Sequence, residues 1–477
     1  YRAADRLHIE THASIVRKFL LFHEGDVYVP ERLQETERNL RAQHYLKSAT
    51  VTALAPHDGV VDVLVTTQDA WSIAPETQAG SKGGTSTYGA AISESNLLGL
   101  GKEVEVSWDK QVDRTRLAVD YQDPMVLDGY WNTRLTYGRT SDGNDQRIQL
   151  RRPFYSFSTP WATELSFIGF LRDDRLYEQG LTAERFGHEM RRAIASWGWA
   201  IDPSDRVANR VVTGLRFTRD RFSLREALDT FTLPRDRDYH YLFARFDHAE
   251  NNFVKLNFIN KDIRFEDFNL GRQYTAEAAV SPRVAGAPVN SAFGCLTYAD
   301  GTGSGDSAFM LRSASVESRF DGGLQNTIAS GALYAVKREG EEHPSTFVGR
   351  VVFNNAWRLD RENQFFADGV TGLRGYRIHS FAGTRSLIIN AEQRFYLGRE
   401  LLQLYSPGVV AFADAGNATS GSFPDLLRLK ADVGVGIRIG LPRTPKNLFR
   451  LDLGYALNRD PHGKRGFLIS FSSGQAF

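Results

Sequence analysis

From about residue 80 to the C-terminus, apolar and polar residues alternate with a period of two in one segment after another. Between residues 103 and 109, for example, Val104, Val106 and Trp108 fall on one side, while acidic residues and a serine fall on the other. Successive side chains of a β-strand point to opposite faces of the sheet, so this pattern predicts strands with one apolar and one polar face. It therefore predicts that most of the chain is antiparallel β-structure.

The alternation fits two classes of fold, which differ in the direction of the apolar face. In a soluble all-β protein that face is buried between sheets, whereas in a transmembrane β-barrel it contacts lipid and the polar face lines the lumen. The chain has no run of roughly 18 consecutive apolar residues, so a membrane protein built of helices is excluded. A composition with only 42% hydrophobic residues does not exclude a barrel, because lipid-facing and lumenal residues average out.

Three observations favour the barrel. Charges of both signs recur on the polar faces, as a water-filled lumen requires. The last segment alternates Phe467, Ile469 and Phe471 and ends at Phe477, and a terminal aromatic residue resembles the sorting signal of outer-membrane barrels. Aromatic residues also recur at predicted strand ends, where girdles at the membrane interfaces are expected. These aromatic residues are Tyr88, Trp108, Tyr121, Tyr130, Trp131, Tyr137, Tyr155 and Trp161.

The number of strands is less well defined than their character. Alternating segments number about nineteen, and an even number of strands is needed if both chain ends lie on the same side of the membrane. Part of this set lies between Arg235 and Arg283, and we interpret that part as extracellular hairpins or as halves of one bent strand.

The N-terminal part of the chain has a different pattern, which predicts a small mixed α/β unit. A strand at Leu7–Glu10 is followed by a helix at Ser14–Leu21 and by a second helix from Pro30 to about Gln43. Proline suits the first turn of a helix because its missing N–H is not needed there. Strands at Lys47–Ala55 and Val60–Thr67 follow, joined by a turn that ends in Asp-Gly. The predicted order is β-α-α-β-β.

Motifs for catalysis or for binding a cofactor are absent from the sequence. It contains no Gly-x-Ser-x-Gly elbow, no phosphate-binding Gly-x-x-x-x-Gly-Lys-Ser/Thr and no His-Glu-x-x-His. The net charge of +1 does not indicate a nucleic-acid partner, and the single cysteine permits no internal disulfide. We therefore predict a protein that is not an enzyme, with no catalytic residues, no cofactor and no metal. Because the first residue is Tyr1 rather than methionine, we expect a signal peptide or a larger segment upstream.

The most informative region lies near the C-terminus. It contains a loop motif, Gly372-Leu373-Arg374-Gly375-Tyr376, and then a strand motif, Phe412-Ala413-Asp414-Ala415-Gly416. Between them stands Asn390-Ala391-Glu392-Gln393-Arg394-Phe395. These motifs resemble the BamA/TamA superfamily of outer-membrane insertases and translocases, which includes the two-partner-secretion transporters. Its signature is Arg-Gly-Phe/Tyr on a loop and a later Phe-x-Asp-x-Gly on a strand.

The resemblance implies an architecture for the whole chain. Residues 1–75 would form a small α+β POTRA domain, which the predicted β-α-α-β-β order matches. Residues 76–477 would form a transmembrane antiparallel β-barrel of about sixteen strands, with loop 358–386 folded back into the lumen. The chain departs from the usual pattern in having one such N-terminal domain, where members of the superfamily have two or several.

The resemblance also implies roles for the motif residues. Arg374 on the folded-back loop would be desolvated, and its fork of donors would engage Asp414 and Glu392 on the lumen wall. Gly372 and Gly375 would allow the loop tip to approach that wall closely. Tyr376 completes the loop motif, and Phe412 and Gly416 complete the strand motif. The four aromatic and aliphatic residues of the last strand would form the barrel signal.

By the same resemblance, the protein would be an insertase or translocase in the outer membrane of a Gram-negative bacterium, with its POTRA domain in the periplasm. Its partners would be unfolded outer-membrane or secreted client proteins, the lipid bilayer, and a periplasmic chaperone or accessory protein, but no nucleic acid. Clients would bind a POTRA edge strand and pass through a barrel with a weak seam between its last strand and a first strand near Thr85–Ser93.

Two alternatives remain open at the level of the sequence. One is a dedicated translocator for a single secreted or surface-displayed protein, as in type V secretion. The other is a C-terminal membrane anchor for a fused passenger such as a patatin-like lipase.

Overall fold

A computed structural model describes residues 9–127, 130–225, 232–261, 265–304, 307–402, 404–441 and 448–476. Within these ranges the chain forms short helices and many strands, with single 3₁₀ turns at Leu97–Gly99 and Arg283–Ala285. The helices are α1 (Ala13–Lys18), α2 (Pro30–Arg41) and α3 (Phe423–Leu426). The strands are β1 (Leu46–Ala53), β2 (Val63–Asp69), β3 (Ile73–Lys82), β4 (Thr85–Glu94), β5 (Glu103–Lys110), β6 (Thr115–Val126), β7 (Trp131–Thr140), β8 (Gly143–Arg152), β9 (Trp161–Glu178), β10 (Leu181–Ile201), β11 (Val207–Leu224), β12 (Arg237–Glu250), β13 (Phe253–Leu256), β14 (Glu266–Asn269), β15 (Gln273–Ser281), β16 (Ser291–Ser304), β17 (Ala308–Phe320), β18 (Leu324–Glu339), β19 (Ser345–Trp357), β20 (Phe365–Ala367), β21 (Phe381–Gly383), β22 (Arg385–Tyr396), β23 (Ser406–Thr419), β24 (Lys430–Gly440), β25 (Leu448–Ala456) and β26 (Phe467–Ser473).

Twenty strands close into one antiparallel barrel, so the expectation of about sixteen strands is wrong. The ring runs from β3 to β12, continues through β15 to β19 and ends with β22 to β26, which pairs back onto β3. The region that we discounted, between residues 235 and 283, supplies two complete barrel strands, β12 and β15. Both strands alternate in sequence and pair with a neighbour on each side. The alternation therefore predicted them correctly, and the strand number implied by the resemblance was wrong.

The N-terminal part also differs from the expectation. The two predicted helices and the two predicted strands are present as α1, α2 and the antiparallel pair β1–β2. Of the predicted opening strand, residues 7–8 lie outside the described residues, and Ile9 and Glu10 are not in a strand. The described chain here is two helices on a two-stranded sheet, which is not a POTRA domain, and that part of the predicted fold class is wrong.

This N-terminal unit has a small apolar core. Helix α2 begins at Pro30, and its buried residues Leu33 and Leu40 lie on one side of the helix. Leu40 packs with Leu46 and Ala49 of β1 in the core cluster. The core thus holds α2 against the sheet and leaves the charged side of the helix facing the barrel.

The barrel wall has its apolar side outward. On β24, Val433, Val435 and Ile437 are exposed, whereas the intervening Asp432 and Arg438 have no exposed surface. The same alternation continues on β25 and β22. Exposed aliphatic residues around a charged interior are the arrangement of a barrel that contacts lipid, and they exclude the soluble alternative. No helix in the described part of the chain is long and apolar enough to cross a membrane.

The closure of the barrel is its weakest junction. Among the described residues, strand β26 pairs with β25 through seven registered residue pairs, but with β3 through the single pair Phe471–Ser81. The first barrel strand is therefore β3, and the segment near Thr85–Ser93 that we expected to be first is the second strand, β4. The first barrel strand, β3, begins at the same end of the barrel at which the last strand, β26, ends, and we call this the inner end because it carries the N-terminal unit.

Two connections fold into the lumen. The long connection between β19 and β22, residues 358–384, enters from the outer end and carries the short strands β20 and β21. The connection between β12 and β15 enters from the inner end as the hairpin β13–β14. We call residues 358–384 the outer loop, and residues 253–261 and 265–269 the inner hairpin.

Candidate functional site

The tip of the outer loop is shaped by one buried aspartate. The carboxylate of Asp368 accepts hydrogen bonds from the backbone N–H groups of Val370 and Thr371 at 2.9 Å and of His379 at 2.7 Å. Its backbone carbonyl accepts the N–H of Leu373 at 2.7 Å. These bonds satisfy the loop's polar groups internally and close the turn that presents Arg374 to the barrel wall.

Arg374 is fixed by two carboxylates of neighbouring strands. Its Nε and Nη2 donate to the two oxygens of Asp414 at 2.8 and 2.9 Å, and its Nη1 donates to Glu392 at 2.5 Å. The arginine side chain is 3% exposed and both acids are 0% exposed. Removing a charge from water is costly, so a site this dry is stable only because the guanidinium fork is matched on both sides. The face of Phe412 lies 3.5 Å from the guanidinium carbon and adds a cation–π contact.

The ion pairs continue around the wall through residues that we did not single out in the sequence. Arg394 donates to Glu392 at 2.7 Å, and Arg438 lies 3.4 Å from the same carboxylate. Arg438 also pairs with Asp452 at 2.6 Å. Together with Arg374, Asp414 and Glu392, these three side chains form what we call the lumenal ion network. The alternation that placed Asp414 on the lumenal face places these residues there too, so the signal that could have found them was present.

Close approach between loop and wall depends on two of the predicted glycines. A Cβ on Gly375 would lie 2.6 Å from the Cβ of Asp432 and 3.0 Å from the backbone nitrogen of Ala456. Gly372 has φ +140°, and a Cβ there would lie 3.0 Å from Asn390. A third such position, which we did not predict, is Gly454 on the wall, where a Cβ would meet the backbone of Arg374 at 3.0 Å.

The remaining motif residues hold the loop on either side of Arg374. The hydroxyl of Tyr376 lies 3.0 Å from the carbonyl of Ala431 at the start of β24, and the side chain is 1% exposed. Gly416 faces Ile388 of β22, where a Cβ would approach the carbonyl of Leu387 to 2.6 Å. The loop motif and the strand motif, separate in sequence, thus meet in one buried site.

The predicted C-terminal signal lies apart from this site. Phe467 and Ile469 are exposed on the outward face of β26, and Phe471 forms the single registered pair with β3. Phe477 lies outside the described residues. Gln475 accepts a hydrogen bond from Arg438 and donates one to the hydroxyl of Tyr396, both at 3.0 Å. The chain end is therefore bonded to the lumenal ion network.

The site is a set of matched charges rather than a reactive centre. The arginines and carboxylates of the lumenal ion network pair with one another, and no three His, Cys, Asp or Glu side chains of the described residues are placed to share a metal ion. Beside the outer loop, a cavity of about 1160 Å³ opens in the lumen, lined by charged residues such as Arg116, Asp145 and Arg192 and by Phe366 of the loop. What this arrangement can do is hold a loop across the lumen, or release it.

Comparison with known families places the motifs in a recognised domain. Residues 341–477 match the Omp85 superfamily domain, a segment that contains both motifs and the whole lumenal ion network. This match confirms the resemblance to the BamA/TamA superfamily drawn from the sequence. No curated protein sequence is significantly similar to the chain.

Three solved structures are similar to most of the chain at low sequence identity, and one of them has a TM-score above 0.5. CdiB from Acinetobacter baumannii has a TM-score of 0.51 and 12% identity, over 98% of this chain and 72% of that one. CdiB from Escherichia coli has a TM-score of 0.49 and 13% identity, over 97% and 74%. BamA from Haemophilus ducreyi lacking POTRA domains 1–3 has a TM-score of 0.42 and 12% identity, over 98% and 82%.

Proposed function

From the premise that this chain carries an Omp85 superfamily domain over residues 341–477, we propose that it is an outer-membrane protein insertase or translocase. In this proposal it takes client proteins from the inner end of the barrel and delivers them to the membrane or across it. The observation that carries the proposal is the seam, where β26 and β3 share one registered pair beside a loop that is locked to the wall.

The seam supports insertion because the edges of β3 and β26 can separate there with the loss of few backbone hydrogen bonds. A strand that pairs along its whole length leaves no backbone N–H or C=O for a partner, whereas β3 and β26 leave most of theirs unpaired with each other. An extended client segment can pair with such an edge and so gain backbone hydrogen bonds. Gly80 lies at this junction, where a Cβ would meet Thr87 at 2.8 Å and the carbonyl of Phe471 at 3.2 Å.

The locked loop supports a barrel that is stable while its seam opens. Glu392 and Asp414 belong to β22 and β23, and the chain of ion pairs through Arg438 reaches Asp452 of β25. The network therefore ties four neighbouring strands to the loop on the side of the barrel that ends at the seam. A lateral opening between β26 and β3 would leave this part of the wall intact.

A dedicated translocator is the second candidate, and the lumenal cavity favours it. The space of about 1160 Å³ beside the outer loop lies within the barrel, where a client in transit would need room. In that case the client would thread through the lumen and the loop would move aside.

Quantitative mass spectrometry of the outer membrane and the culture medium, with and without this protein, tests the proposal. Loss of many barrel proteins from the membrane would establish an insertase. Loss of one or two proteins from the cell surface or medium, with other barrels unchanged, would establish a dedicated translocator. An unchanged proteome would refute both and would favour the membrane-anchor alternative.

A further inference from the structure

The inner hairpin is buried in the lumen although it connects two barrel strands. Leu256, Phe258 and Ile259 are 3%, 4% and 0% exposed. Leu256 and Ile259 pack with the inward-facing Phe309 and Val336 of β17 and β18. A plain turn would join β12 to β15 with few residues, so this connection forms a separate structure inside the barrel.

The inner hairpin is bonded to the same network that holds the outer loop. Arg394 donates to the carbonyl of Ile259 at 2.5 Å and to Glu392 at 2.7 Å, and Glu392 accepts from Arg374 of the outer loop. Thr346 donates to the carbonyl of Phe258 at 3.0 Å. The inner hairpin and the outer loop, which enter from opposite ends of the barrel, are thus linked through Arg394 and Glu392.

The fold at this contact carries backbone strain. Phe258 has φ +60°, a left-handed conformation that is unfavourable for a bulky residue. Its aromatic ring lies 5.2 Å from that of Tyr396, which holds the strained turn in place. Withdrawal of the hairpin would relieve this strain, so the inserted state depends on its contacts.

Helix α2 contacts the same hairpin at the inner end of the barrel, through its strands β13 and β14. Arg41 binds both oxygens of Asp267, at 2.7 and 2.8 Å, and Lys255 pairs with Glu37 of the helix at 2.9 Å. The guanidinium of Arg38 lies 4.3 Å from the centre of the Phe253 ring. Both strands of the hairpin are therefore held by one face of the helix.

The helix and the hairpin together cross the inner mouth of the barrel. At one end, Asn39 donates to the carbonyl of Tyr155 in the turn between β8 and β9 at 3.2 Å. At the other end, the hairpin reaches Arg394 of β22. In the ring order that starts at β3, β8 is the sixth strand and β22 the sixteenth of twenty, so these contacts lie on opposite sides of the barrel.

We propose that the inner hairpin is a gate of the lumen that helix α2 holds in place, and that the gate opens when a client chain displaces the helix and breaks its contact with the hairpin. This inference rests on the proposed function for the identity of the trigger, a client polypeptide. In the closed state the helix holds the hairpin by ion pairs outside the lumen, and once these ion pairs break the hairpin releases Arg394 inside it.

Charge reversal at the helix–hairpin contact tests the gate without any client. Asp267→Arg places a cation against Arg41, and we expect a several-fold rise in ion conductance of the purified protein in planar lipid bilayers. We also expect a several-fold rise in the reaction of Leu256→Cys, in a Cys295→Ser background, with a maleimide that does not cross the membrane. The double change Asp267→Arg with Arg41→Asp should restore low conductance and low labelling.

The matched control is Asp205→Arg, which breaks the contact of the same helix with a barrel turn, where Arg32 lies 3.3 Å from Asp205. It should leave conductance and labelling unchanged. If Asp267→Arg yields a barrel that does not fold, Arg41→Glu reverses the same contact from the helix side. A folded variant with wild-type conductance and labelling overturns the gate, as does an equal effect of Asp205→Arg. Because no client is present, these outcomes are independent of the proteomic test.

Discussion

At the scale of single residues, the charges of the lumenal ion network can be buried only because each arginine lies beside a carboxylate. Arg374 sits between Asp414 and Glu392 with almost no exposed surface. Such a pair contributes little compared with an apolar replacement of the whole set, but the loss of one partner leaves a charge buried without compensation. The folding of the outer loop is therefore sensitive to this one side chain.

Replacing Arg374 by alanine should lower barrel stability and transport activity together. Two buried carboxylates would lose their main partner, and we expect a loss of about 3–5 kcal/mol in the free energy of unfolding. Thermal unfolding in detergent and the outer-membrane proteome of the variant measure the two effects. Arg139→Ala, at an exposed position on the outward side of β7, is the control and should change neither. Unchanged melting and unchanged activity of Arg374→Ala would refute the lock.

A second residue-scale prediction concerns the contact between helix α2 and the barrel. Glu35 accepts the N–H of Phe157 at 3.0 Å and is 5% exposed. Burial raises the pKa of this carboxyl to about 7, and the nearby cations Arg38 and Arg210 offset this only in part, while Asp205 adds to it. The docked helix α2 thus favours the protonated form of Glu35. The stability that this group contributes to the folded protein is complete below the ordinary pKa of glutamate and is lost as the pH rises through about 7.

Glu35→Gln should remove this pH dependence. We expect the wild-type protein to lose no more than about 3 kcal/mol of stability between pH 5 and pH 8 from this group, and the glutamine variant to lose none of it. Thermal unfolding of both proteins across that range provides the measurement. Equal pH profiles for the two proteins would contradict the assignment.

At the scale of elements, the outer loop is positioned by the distance at which it meets β24. Gly375 has no room for a side chain, since a Cβ would lie 2.6 Å from that of Asp432, which belongs to a rigid strand. The loop can therefore approach β24 only with glycine at this position.

Gly375→Ala should push the loop away from the wall while leaving every charge of the network in place. We expect a destabilisation of about 1–3 kcal/mol, typical of overpacking, with longer and weaker contacts of Arg374 to Asp414. Thermal unfolding measures the cost. Gly466→Ala is the matched control, because Gly466 lies in an outer connection, does not have a left-handed φ, and a Cβ there would meet no atom within 4 Å; it should cost little stability. An equal effect of both changes would refute the close-approach argument.

Much of this element-scale picture follows from sequence, because alternation reports directly which side of a strand is buried. The resemblance to a family supplied the loop motif and the strand motif, and the alternation predicted the barrel strands. It could not give the strand number, which depends on how the sheet closes, and the resemblance to a family led us to discount β12 and β15. Between residues 235 and 283 we also expected extracellular hairpins or halves of one bent strand, and this was wrong for the inner hairpin. Its strands β13 and β14 enter the lumen from the inner end, which alternation over four residues in each strand cannot indicate.

At the scale of the whole molecule, the barrel wall is held by many more bonds on one side than at the adjoining seam. The wall from β22 to β25 is bonded to the outer loop and, through Arg394, to the inner hairpin. The junction of β26 with β3 has a single registered pair. A structure in which one side is reinforced and the adjoining seam is weak will open at that seam, and this is the central claim of the proposed function.

A disulfide across the seam tests that claim most directly. Ser81→Cys and Phe471→Cys, in a Cys295→Ser background, place cysteines at directly paired positions, where the spacing of antiparallel strands of about 4.5–5.5 Å allows a disulfide. The pair Leu453→Cys and Ile469→Cys, registered between β25 and β26, is the matched control. We predict that oxidation of the seam pair abolishes delivery of client proteins to the outer membrane, that reduction restores it, and that the control pair has no effect. Normal delivery with the seam fully oxidised would contradict lateral opening.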